Sequence, residues 1–216
     1  ALQNQINPHF LYNTLESIRG EALIAGLDGV ADMTEALAKF FRYTITKVEN
    51  LVSVEEELDN CETYFGIQKY RFGDRLNLHI EYDPGEYEMI MNCRIPKLTL
   101  QPVIENSILH GILEKPSKSG TIVLTGWMED GDIVLLISDD GVGIAPDKLP
   151  VILSGEGTSI SGGTNIAIYN THRRLQVLYG ADYGLTYSSD VGKGTEVQIR
   201  IPAKRDETSG ETPKPL

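Results

Sequence analysis

The sequence predicts an α+β fold in two parts, a helical hairpin region followed by a sandwich in which helices cover one face of a mixed sheet. Through the first fifty residues the apolar positions recur at helical spacing, whereas from Leu76 apolar and polar residues alternate as in a strand. Beyond Leu76, strand patterns outnumber helical ones and hairpin turns join some of them. We therefore expect a helical region at residues 1–72, a second domain at residues 73–203 and a disordered polar tail at residues 204–216.

Two amphipathic helices joined by a turn at residues 26–29 are predicted for the start of the chain. Packed as a hairpin, they leave an apolar stripe uncovered, and the usual remedy is a second hairpin from another copy. We predict a homodimer with a four-helix bundle. The positions that repeat at three- and four-residue spacing are Leu11, Leu15, Ile18 and Ala22, then Val30, Met33, Leu37, Phe41, Thr44 and Val48.

The remaining elements follow from local signals. A capping-box pattern from Ser53 to Glu56 predicts a third helix that runs through Leu58, Cys61, Phe65 and Gln68 toward Gly73. The dipeptide Asp130-Gly131 predicts a hairpin turn between two strands. We place helices at 96–111 and 165–179, strands at 76–80, 121–128, 132–138, 184–188 and 195–201, and a glycine-rich loop at 154–163.

Composition excludes several classes of protein. The chain has 216 residues, 41% of them hydrophobic, and a formal net charge of −12, which disfavours sequence-independent binding to nucleic acid or anionic membranes. The longest aliphatic run, Ile133–Ile137, is far shorter than the roughly 20 residues that span a bilayer, and no signal peptide pattern is present. Cys61 and Cys93 lack the spacing of a disulfide framework or a zinc site, so we expect free thiols.

The first segment whose side chains could bind a ligand or take part in a reaction is Gln101–Gly111. It places Glu105 and Asn106 on an otherwise apolar helix, with His110 four positions after Asn106 and hence on the same face. An asparagine oxygen is a suitable ligand for Mg²⁺ that is also held by phosphates and water. The alternative is that Asn106 and His110 form hydrogen bonds within a core or cap the helix.

The second segment is Asp139–Ile144, which follows a strongly apolar strand. Asp139 should emerge at the strand end, where Gly141 and Gly143 let the backbone approach a flat ligand. A carboxylate there can accept a hydrogen bond from the exocyclic amine of adenine. Guanine presents a carbonyl at that position, and two acceptors would then face each other. Asp139 is therefore expected to select ATP over GTP. A plain Asp-Gly turn is the alternative.

Two glycine-rich stretches follow. The loop at 154–163, which includes Gly162 and Gly163, leads into a helix whose N-terminus favours a triphosphate, and it is a candidate lid. A simple flexible loop is the alternative. The stretch Gly192–Thr195 does not satisfy the Walker pattern, because Tyr187 stands where that pattern requires a glycine, and a Rossmann fingerprint is absent too.

Taken together and in this order, these motifs resemble those of the cytoplasmic kinase core of LytS/YesM-type sensor histidine kinases, with a GHKL (Bergerat-fold) ATP-binding domain. The resemblance spans residues 2–202. It depends on four signatures, which are Gln5–Asn13, Leu100–Asn106, Asp139–Gly143 and Gly194-Thr195.

By this resemblance, His9 is the phosphoacceptor, Asn106 is the Mg²⁺ ligand, Asp139 recognises adenine, and Thr195 is its neighbour in the adenine pocket. Pro8 removes a helix hydrogen bond and is expected to bend the helix so that the His9 ring projects. An imidazole is mostly neutral at pH 7 and is then a nucleophile, although a lone histidine is more often an ordinary surface residue. Glu105 is expected to orient the imidazole or a water.

The resemblance also implies ATP and Mg²⁺ as cofactors and the receiver domain of a response regulator as a partner. Because the chain starts at Ala1 inside a periodic pattern, we expect an excised fragment. The missing upstream region would carry transmembrane helices and an extracytoplasmic sensor, which makes this chain the cytoplasmic fragment of a bacterial cell-membrane protein.

Three positions depart from the family pattern. Asn165 and Ala167 replace two glycines where the lid enters its helix, and Leu109 replaces a lysine. We expect weaker phosphate binding, with Gly162 and Gly163 compensating and Asn165 still near the nucleotide. One alternative is therefore a GHKL module that binds nucleotide as a switch or dimer scaffold without efficient kinase activity. A more distant alternative is a GHKL ATPase or serine kinase.

Overall fold

The computed structural model describes residues 7–45, 51–155 and 164–204, with the backbone alone described at residues 164 and 165. Its first two elements are the helices α1 (Pro8–Ile24) and α2 (Asp28–Ile45). They form the predicted hairpin, with a shorter turn than expected because Asp28 and Gly29 already belong to α2. Val48, residues 1–6, most of the glycine-rich loop (156–163) and nearly all of the tail (205–216) lie outside the described residues.

Helix α1 begins at Pro8 and is not bent by it. The Asn7 side-chain oxygen accepts hydrogen bonds from the amides of His9 at 3.0 Å and Phe10 at 3.4 Å. A proline in the first helical position loses no hydrogen bond, because its missing N–H would have had no partner within the helix. The expectation that Pro8 bends the helix is therefore wrong, and Pro8 instead fixes where the helix starts.

The hairpin buries two positions of the predicted stripe on α1, Leu15 and Ala22, but on α2 it buries a neighbouring face. The buried residues of α2 are Ala31, Thr34 and Ala38, whose small side chains allow close packing. Val30, in the predicted stripe, is 39% exposed, and Ile18 on α1 is 46% exposed. Much of the predicted stripe thus remains uncovered within one chain.

The third helix, α3 (Val54–Phe72), matches its prediction at both ends. The Ser53 hydroxyl accepts the Glu56 amide at 3.1 Å, and Glu56 accepts the Ser53 amide at 2.8 Å. Gly73 follows the helix at a φ of 67°, which a glycine adopts readily. A short strand before the helix, β1 (Leu51–Ser53), pairs with β3 (Arg94–Pro96), and neither was predicted.

A five-stranded mixed sheet forms the second part of the chain, as predicted. The strands are β2 (Leu76–Tyr82), β4 (Gly120–Glu129), β5 (Asp132–Asp139), β6 (Gly184–Asp190) and β7 (Gly194–Pro202). Their order in the sheet is β2-β4-β5-β7-β6, with β2 parallel to β4 and every other pair antiparallel. The β4–β5 turn has positive φ at Asp130 (52°) and Gly131 (84°), which is the twisted two-residue hairpin that this dipeptide predicts.

The helices of this part are α4 (Tyr87–Met91), α5 (Gln101–Asn106), α6 (Leu149–Ile152) and α7 (Thr164–Tyr179). Helix α5 continues as a π-helical turn, Ser107–Ile112, and it packs between α3 and α7. It starts five residues later than predicted, because Pro96 pairs with Leu51 in the small sheet and Leu98 takes a φ of 58°. The short helices α4 and α6 were not predicted.

One apolar core joins the sheet to its helices. Cys61 and Cys93 are buried free thiols within it, in agreement with the sequence. Over the described residues, we find no helix with the length and apolar character needed to cross a membrane. Fully buried members of the core include Leu76, Ile104, Ile108, Ile122, Ile137 and Ile168.

Candidate functional site

A cavity of about 560 Å³ opens beside the end of β5, which is within the usual size range of small-molecule sites. Its lining includes the end of α5 with its π-helical turn and residues of the segment from Val142 to Ile152. Strands β6 and β7 contribute Tyr187, Thr195 and Val197. The apolar residues that line it are Val103, Val142, Ile144, Ala145, Val151, Ile152 and Val197.

Asp139 is a buried carboxylate in the wall of this cavity, only 7% exposed. Its carboxylate accepts hydrogen bonds from the Ser107 side chain and from the amides of Gly141 and Thr195. Burial raises the pKa of Asp139 above its ordinary value, and these three donors oppose the shift. A carboxylate held in this way is a fixed acceptor for a ligand N–H.

The next residue, Asp140, has a structural role. Its carboxylate accepts the Thr121 amide at 3.0 Å and lies 3.3 Å from the Lys115 ammonium. These contacts tie the end of β5 to the start of β4. Of the two adjacent aspartates, only Asp139 lines the cavity.

The glycines after Asp139 serve the packing of the protein itself. A Cβ on Gly141 would lie 2.5 Å from the Gly111 backbone, and one on Gly143 would lie 2.1 Å from the Asp190 carbonyl oxygen. Gly143 also lines the cavity, whereas Gly141 does not. The sequence-based reason, close approach to a flat ligand, therefore has to be corrected for Gly141.

Asn106 and His110 both line the cavity, as their spacing predicts. The Asn106 side chain forms a hydrogen bond with the Tyr187 hydroxyl, whereas its buried Oδ1 atom has no hydrogen-bond partner among the described residues. An orphaned amide oxygen at the edge of a cavity is a hard donor that suits a Mg²⁺ ion with further ligands from phosphate and water. No cluster of three or more His, Cys, Asp or Glu side chains in the described part of the chain offers a site made of protein ligands alone.

Glu105 and His9 lie away from this cavity. Gln101 donates a hydrogen bond to the Glu105 carboxylate at 2.7 Å, and Glu105 is among the charges that raise the pKa of Cys61 and Tyr64, after burial. Glu105 thus faces α3 and not the cavity, so the expectation that it orients the reacting groups is not supported by its position. His9 is exposed on α1, where the Asn13 amide nitrogen lies 3.3 Å from its Nδ1 atom.

Part of the predicted site cannot be placed. Gly162 and Gly163 lie outside the described residues, and for Asn165 only the position in the first turn of α7 is described. The structure also adds cavity residues that the sequence did not single out, namely Ser107, Lys148 and Tyr187. Ser107 directly follows Asn106, so its place beside the motif was a signal. Tyr187 and Lys148 come from strands and turns with no such marker.

A sheet with helices on one face, a buried acceptor at a strand end and an orphaned amide oxygen in the same cavity define a nucleotide-binding domain attached to a helical hairpin. Residues 95–205 match the model of the histidine kinase-, DNA gyrase B- and HSP90-like ATPases, and residues 1–76 match the histidine kinase model. The chain belongs to the histidine kinase-, DNA gyrase B- and HSP90-like ATPase family.

Curated relatives agree with the resemblance found in the motifs. The chain is 34% identical to the sensor histidine kinase YesM of Bacillus subtilis and 34% identical to the sensor histidine kinase YpdA of Escherichia coli, each over 95% of the chain. It is 29% identical to the sensor protein LytS of Bacillus subtilis, again over 95% of the chain. The chain spans 33–34% of the length of these relatives.

Solved structures agree on the fold. The catalytic domain of the histidine kinase ThkA superposes with a TM-score of 0.53 at 15% identity, covering 71% of this chain and 95% of that domain. The histidine kinase domain of the blue-light-activated kinase of Erythrobacter litoralis gives a TM-score of 0.51 at 15% identity, covering 91% of this chain and 94% of that one. At these identities the likeness establishes the architecture alone.

Proposed function

We propose that this chain is the kinase core of a two-component sensor histidine kinase, which phosphorylates His9 with ATP and passes the group to an aspartate of a response regulator. The observation that carries the proposal is a buried Asp139 carboxylate and an orphaned Asn106 oxygen in the lining of the same cavity. Family membership supports it, and so do relatives named sensor histidine kinases.

Asp139 would select the base. Its carboxylate is held by Ser107, Gly141 and Thr195 and would accept a hydrogen bond from the adenine amine. Guanine would present an oxygen to this carboxylate and leave both acceptors without a donor, which is the kind of mismatch that gives strong discrimination.

Asn106 would hold the metal at the phosphate end. Mg²⁺, when bound, neutralises charge on the phosphates and thereby assists transfer of the terminal phosphoryl group. Asn106 offers the Oδ1 atom, and His110 and Lys148 are further polar or basic groups in the cavity wall. Leu109 and Ala167, the departures from the family pattern, do not line the cavity.

His9 would receive the phosphoryl group. A nitrogen–phosphorus bond forms at one ring nitrogen as the bond between the β–γ bridging oxygen and the γ-phosphorus breaks, and ADP leaves. The neighbouring Asn13 amide, at 3.3 Å from Nδ1 and 3.4 Å from Nε2, would restrict the orientation of the ring. Since His9 is not part of the cavity wall, transfer requires the hairpin and the nucleotide domain to approach each other, within one chain or between two.

The hairpin would form the interface with a second copy of the chain. Exposed apolar residues remain along it, among them Phe10, Ile18 and Ile24, and a four-helix bundle would cover them. We further propose that the whole protein is a bacterial membrane protein, of which this chain is a cytoplasmic part.

Incubation with γ-labelled ATP tests the acceptor. We expect label that is lost in acid and kept in alkali, absent from His9→Gln and present in His79→Gln, which removes another exposed histidine as a matched control. Label that persists in His9→Gln would refute the assignment of His9.

The same labelling assay distinguishes the proposed kinase from the alternative functions. A nucleotide-binding switch or dimer scaffold is favoured by Asn165 and Ala167 at the entry of α7, where two glycines are usual for the resembling family. It would bind Mg-ATP in calorimetry yet yield no label in folded wild-type protein. An ATPase would release phosphate, and a serine kinase would yield acid-stable label.

A further inference from the structure

Glu57 is a carboxylate without exposed surface, on α3 and outside the cavity. Its carboxylate accepts hydrogen bonds from three backbone amides, those of Leu98 at 2.6 Å, Thr99 at 2.9 Å and Leu100 at 3.1 Å. It also accepts the Tyr43 hydroxyl. A buried charge is tolerated when its acceptor sites are filled, and four donors achieve that here.

These three amides immediately precede α5. Leu100 is the N-cap of that helix, and its amide is one of the N–H groups that the helix leaves without an internal partner, so the carboxylate of Glu57 satisfies from another helix a donor that a capping-box side chain would otherwise satisfy. Its negative charge also favours the N-terminal end of the helix dipole. Leu98 has a φ of 58°, an unfavourable backbone conformation for leucine, which the hydrogen bond from its amide helps to hold.

A second group holds the same loop from the opposite side. The Arg174 guanidinium on α7 donates a hydrogen bond to the Leu98 carbonyl at 3.0 Å. Leu98 therefore lies between a carboxylate on α3 and a guanidinium on α7. The loop that sets the start of α5 is fixed by the two helices that flank it.

Helix α5 carries this constraint to the cavity, because Asn106 is its last residue. Asn60, one turn after Glu57 on α3, donates a hydrogen bond to Gln101 at 2.7 Å and adds a second tie to the first residue of α5. The helix is only six residues long, so a shift at its start reaches Asn106 without room for the backbone to absorb it.

Tyr43 connects the hairpin to the same carboxylate. It lies on α2, and the Lys97 ammonium sits 4.3 Å from the centre of its ring, just before the loop. Burial and then the Glu57 charge raise the pKa of Tyr43, so its hydroxyl stays protonated and remains the donor. Through one carboxylate, the helix pair that bears His9 contacts the loop that positions Asn106.

We propose that Glu57 is a positioning residue for the nucleotide site, acting through α5 on Asn106, and that the Tyr43 hydroxyl makes this position depend on the hairpin. The inference rests on the proposed function, since it concerns the binding of Mg-ATP at Asn106.

A double-mutant cycle measured by calorimetry with Mg-ATP tests it, using wild type, Glu57→Gln, Asn106→Ala and the double variant. We expect Glu57→Gln to raise Kd about tenfold in the wild-type background and less than twofold when Asn106 is already alanine. The exposed Glu62→Gln on the same helix is the matched control and should leave Kd within twofold. Equal increases in both backgrounds would mean a general structural effect and would overturn the proposal.

Tyr43→Phe provides a milder variant, because it keeps the ring and removes only the hydroxyl. We expect Kd to rise about threefold in the wild-type background and to stay constant in Asn106→Ala, while Tyr70→Phe, at the other end of the α2–α3 contact, changes nothing. If Glu57→Gln does not unfold in a cooperative thermal transition, the double-mutant cycle of Tyr43→Phe with Asn106→Ala tests the proposal in its place.

The outcomes separate the two proposals. Folded wild type that does not bind Mg-ATP would refute the proposed function and this inference with it. Wild type that binds normally, with additive cycles or with unchanged Kd in both Glu57→Gln and Tyr43→Phe, would refute the positioning role and leave the proposed function intact.

Discussion

Asp139 and Thr195 are register partners on the antiparallel strands β5 and β7, and the Thr195 amide donates a hydrogen bond to the Asp139 carboxylate. The Ser189 hydroxyl lies 3.0 Å from the Thr195 hydroxyl and donates to the Gly194 carbonyl at 2.7 Å. The acceptor in the cavity is thus fixed by a strand pairing, which is a rigid support for a specificity-determining group.

Asp139→Asn should weaken Mg-ATP binding by about 10- to 100-fold, because a hydrogen bond to a charged group contributes about 1.5–3 kcal/mol. Calorimetry with Mg-ATP and Mg-GTP measures both affinity and selectivity. The control is Asp190→Asn, whose carboxylate pairs with Lys193 on the surface, and it should bind like wild type. Unchanged ATP affinity in Asp139→Asn would remove Asp139 from the site.

The same variant should show a weaker dependence of stability on pH than wild type. The pKa of Asp139 is raised by burial, so the folded state binds more protons than the unfolded state at pH values above the ordinary aspartate range, and stability falls as pH rises through the raised pKa. Urea unfolding from pH 4 to 7 should show this loss for wild type, and Asp139→Asn should lack that part of the pH dependence. Identical pH profiles would contradict the role of burial.

Asn106→Ala should lose the metal-dependent part of nucleotide binding. We expect wild type to bind ATP at least about tenfold more weakly when EDTA removes Mg²⁺, whereas Asn106→Ala should bind equally weakly with and without the metal. The measurement is calorimetric titration in both buffers, and circular dichroism serves as the folding control. A full response to Mg²⁺ in Asn106→Ala would place the metal elsewhere.

Gly194→Ala should destabilise the domain far more than Gly192→Ala, although both glycines have positive φ and lie two residues apart, Gly192 in the β6–β7 turn and Gly194 at the start of β7. A Cβ at Gly194 would lie 1.8 Å from the Asp139 carbonyl oxygen. A Cβ at Gly192 would have no heavy atom of the described residues within 4 Å, apart from its neighbours in the chain. We expect a loss of at least about 3 kcal/mol at Gly194 and about 1 kcal/mol at Gly192 in urea unfolding. Similar losses of stability at both sites would show that the positive φ, and not the close contact at Gly194, determines the effect of the substitution.

Ile18→Lys should weaken dimerisation, because Ile18 is 46% exposed on the hairpin and would be covered in the proposed bundle. Burying a lysine there should raise the dimer dissociation constant at least about tenfold, as judged by light scattering over a dilution series. Val177→Lys is the control, since Val177 is 77% exposed on α7, away from the hairpin. Equal effects of the two variants would argue against the bundle.

Local signals predicted most of the fold. The capping box at Ser53 sets the start of α3, and alternation sets the five strands of the main sheet with errors of one or two residues at their ends. One failure lies where a long-range contact overrides local pattern, since Pro96 looked like the start of a helix but pairs with Leu51 in the small sheet. The error at Pro8 is local, because the Asn7 cap places this proline in the first turn of α1, where it does not bend the helix.

The candidate site was predictable where a motif marks a strand or helix end. Asp139, Asn106, His110 and Thr195 meet at one cavity, because the end of β5 and the end of α5 are adjacent in this sandwich. Glu105 lies outside the lining of this cavity, and its proposed role stays a prediction. Neighbouring residues of a helix point to different faces, and which face of α5 meets the cavity is set by packing against α3 and α7.

The sequence by itself determined the order of the longer helices and of the five strands of the main sheet, the family and the polar groups at the strand and helix ends, because these depend on periodicity, caps and short motifs. The tertiary structure alone decided which of two adjacent aspartates faces the cavity and that Glu57 fills the amides before α5, from more than 40 residues away. Such contacts arise only when separate helices pack together. No local pattern records them, because a buried carboxylate is stabilised by donors that folding brings to it.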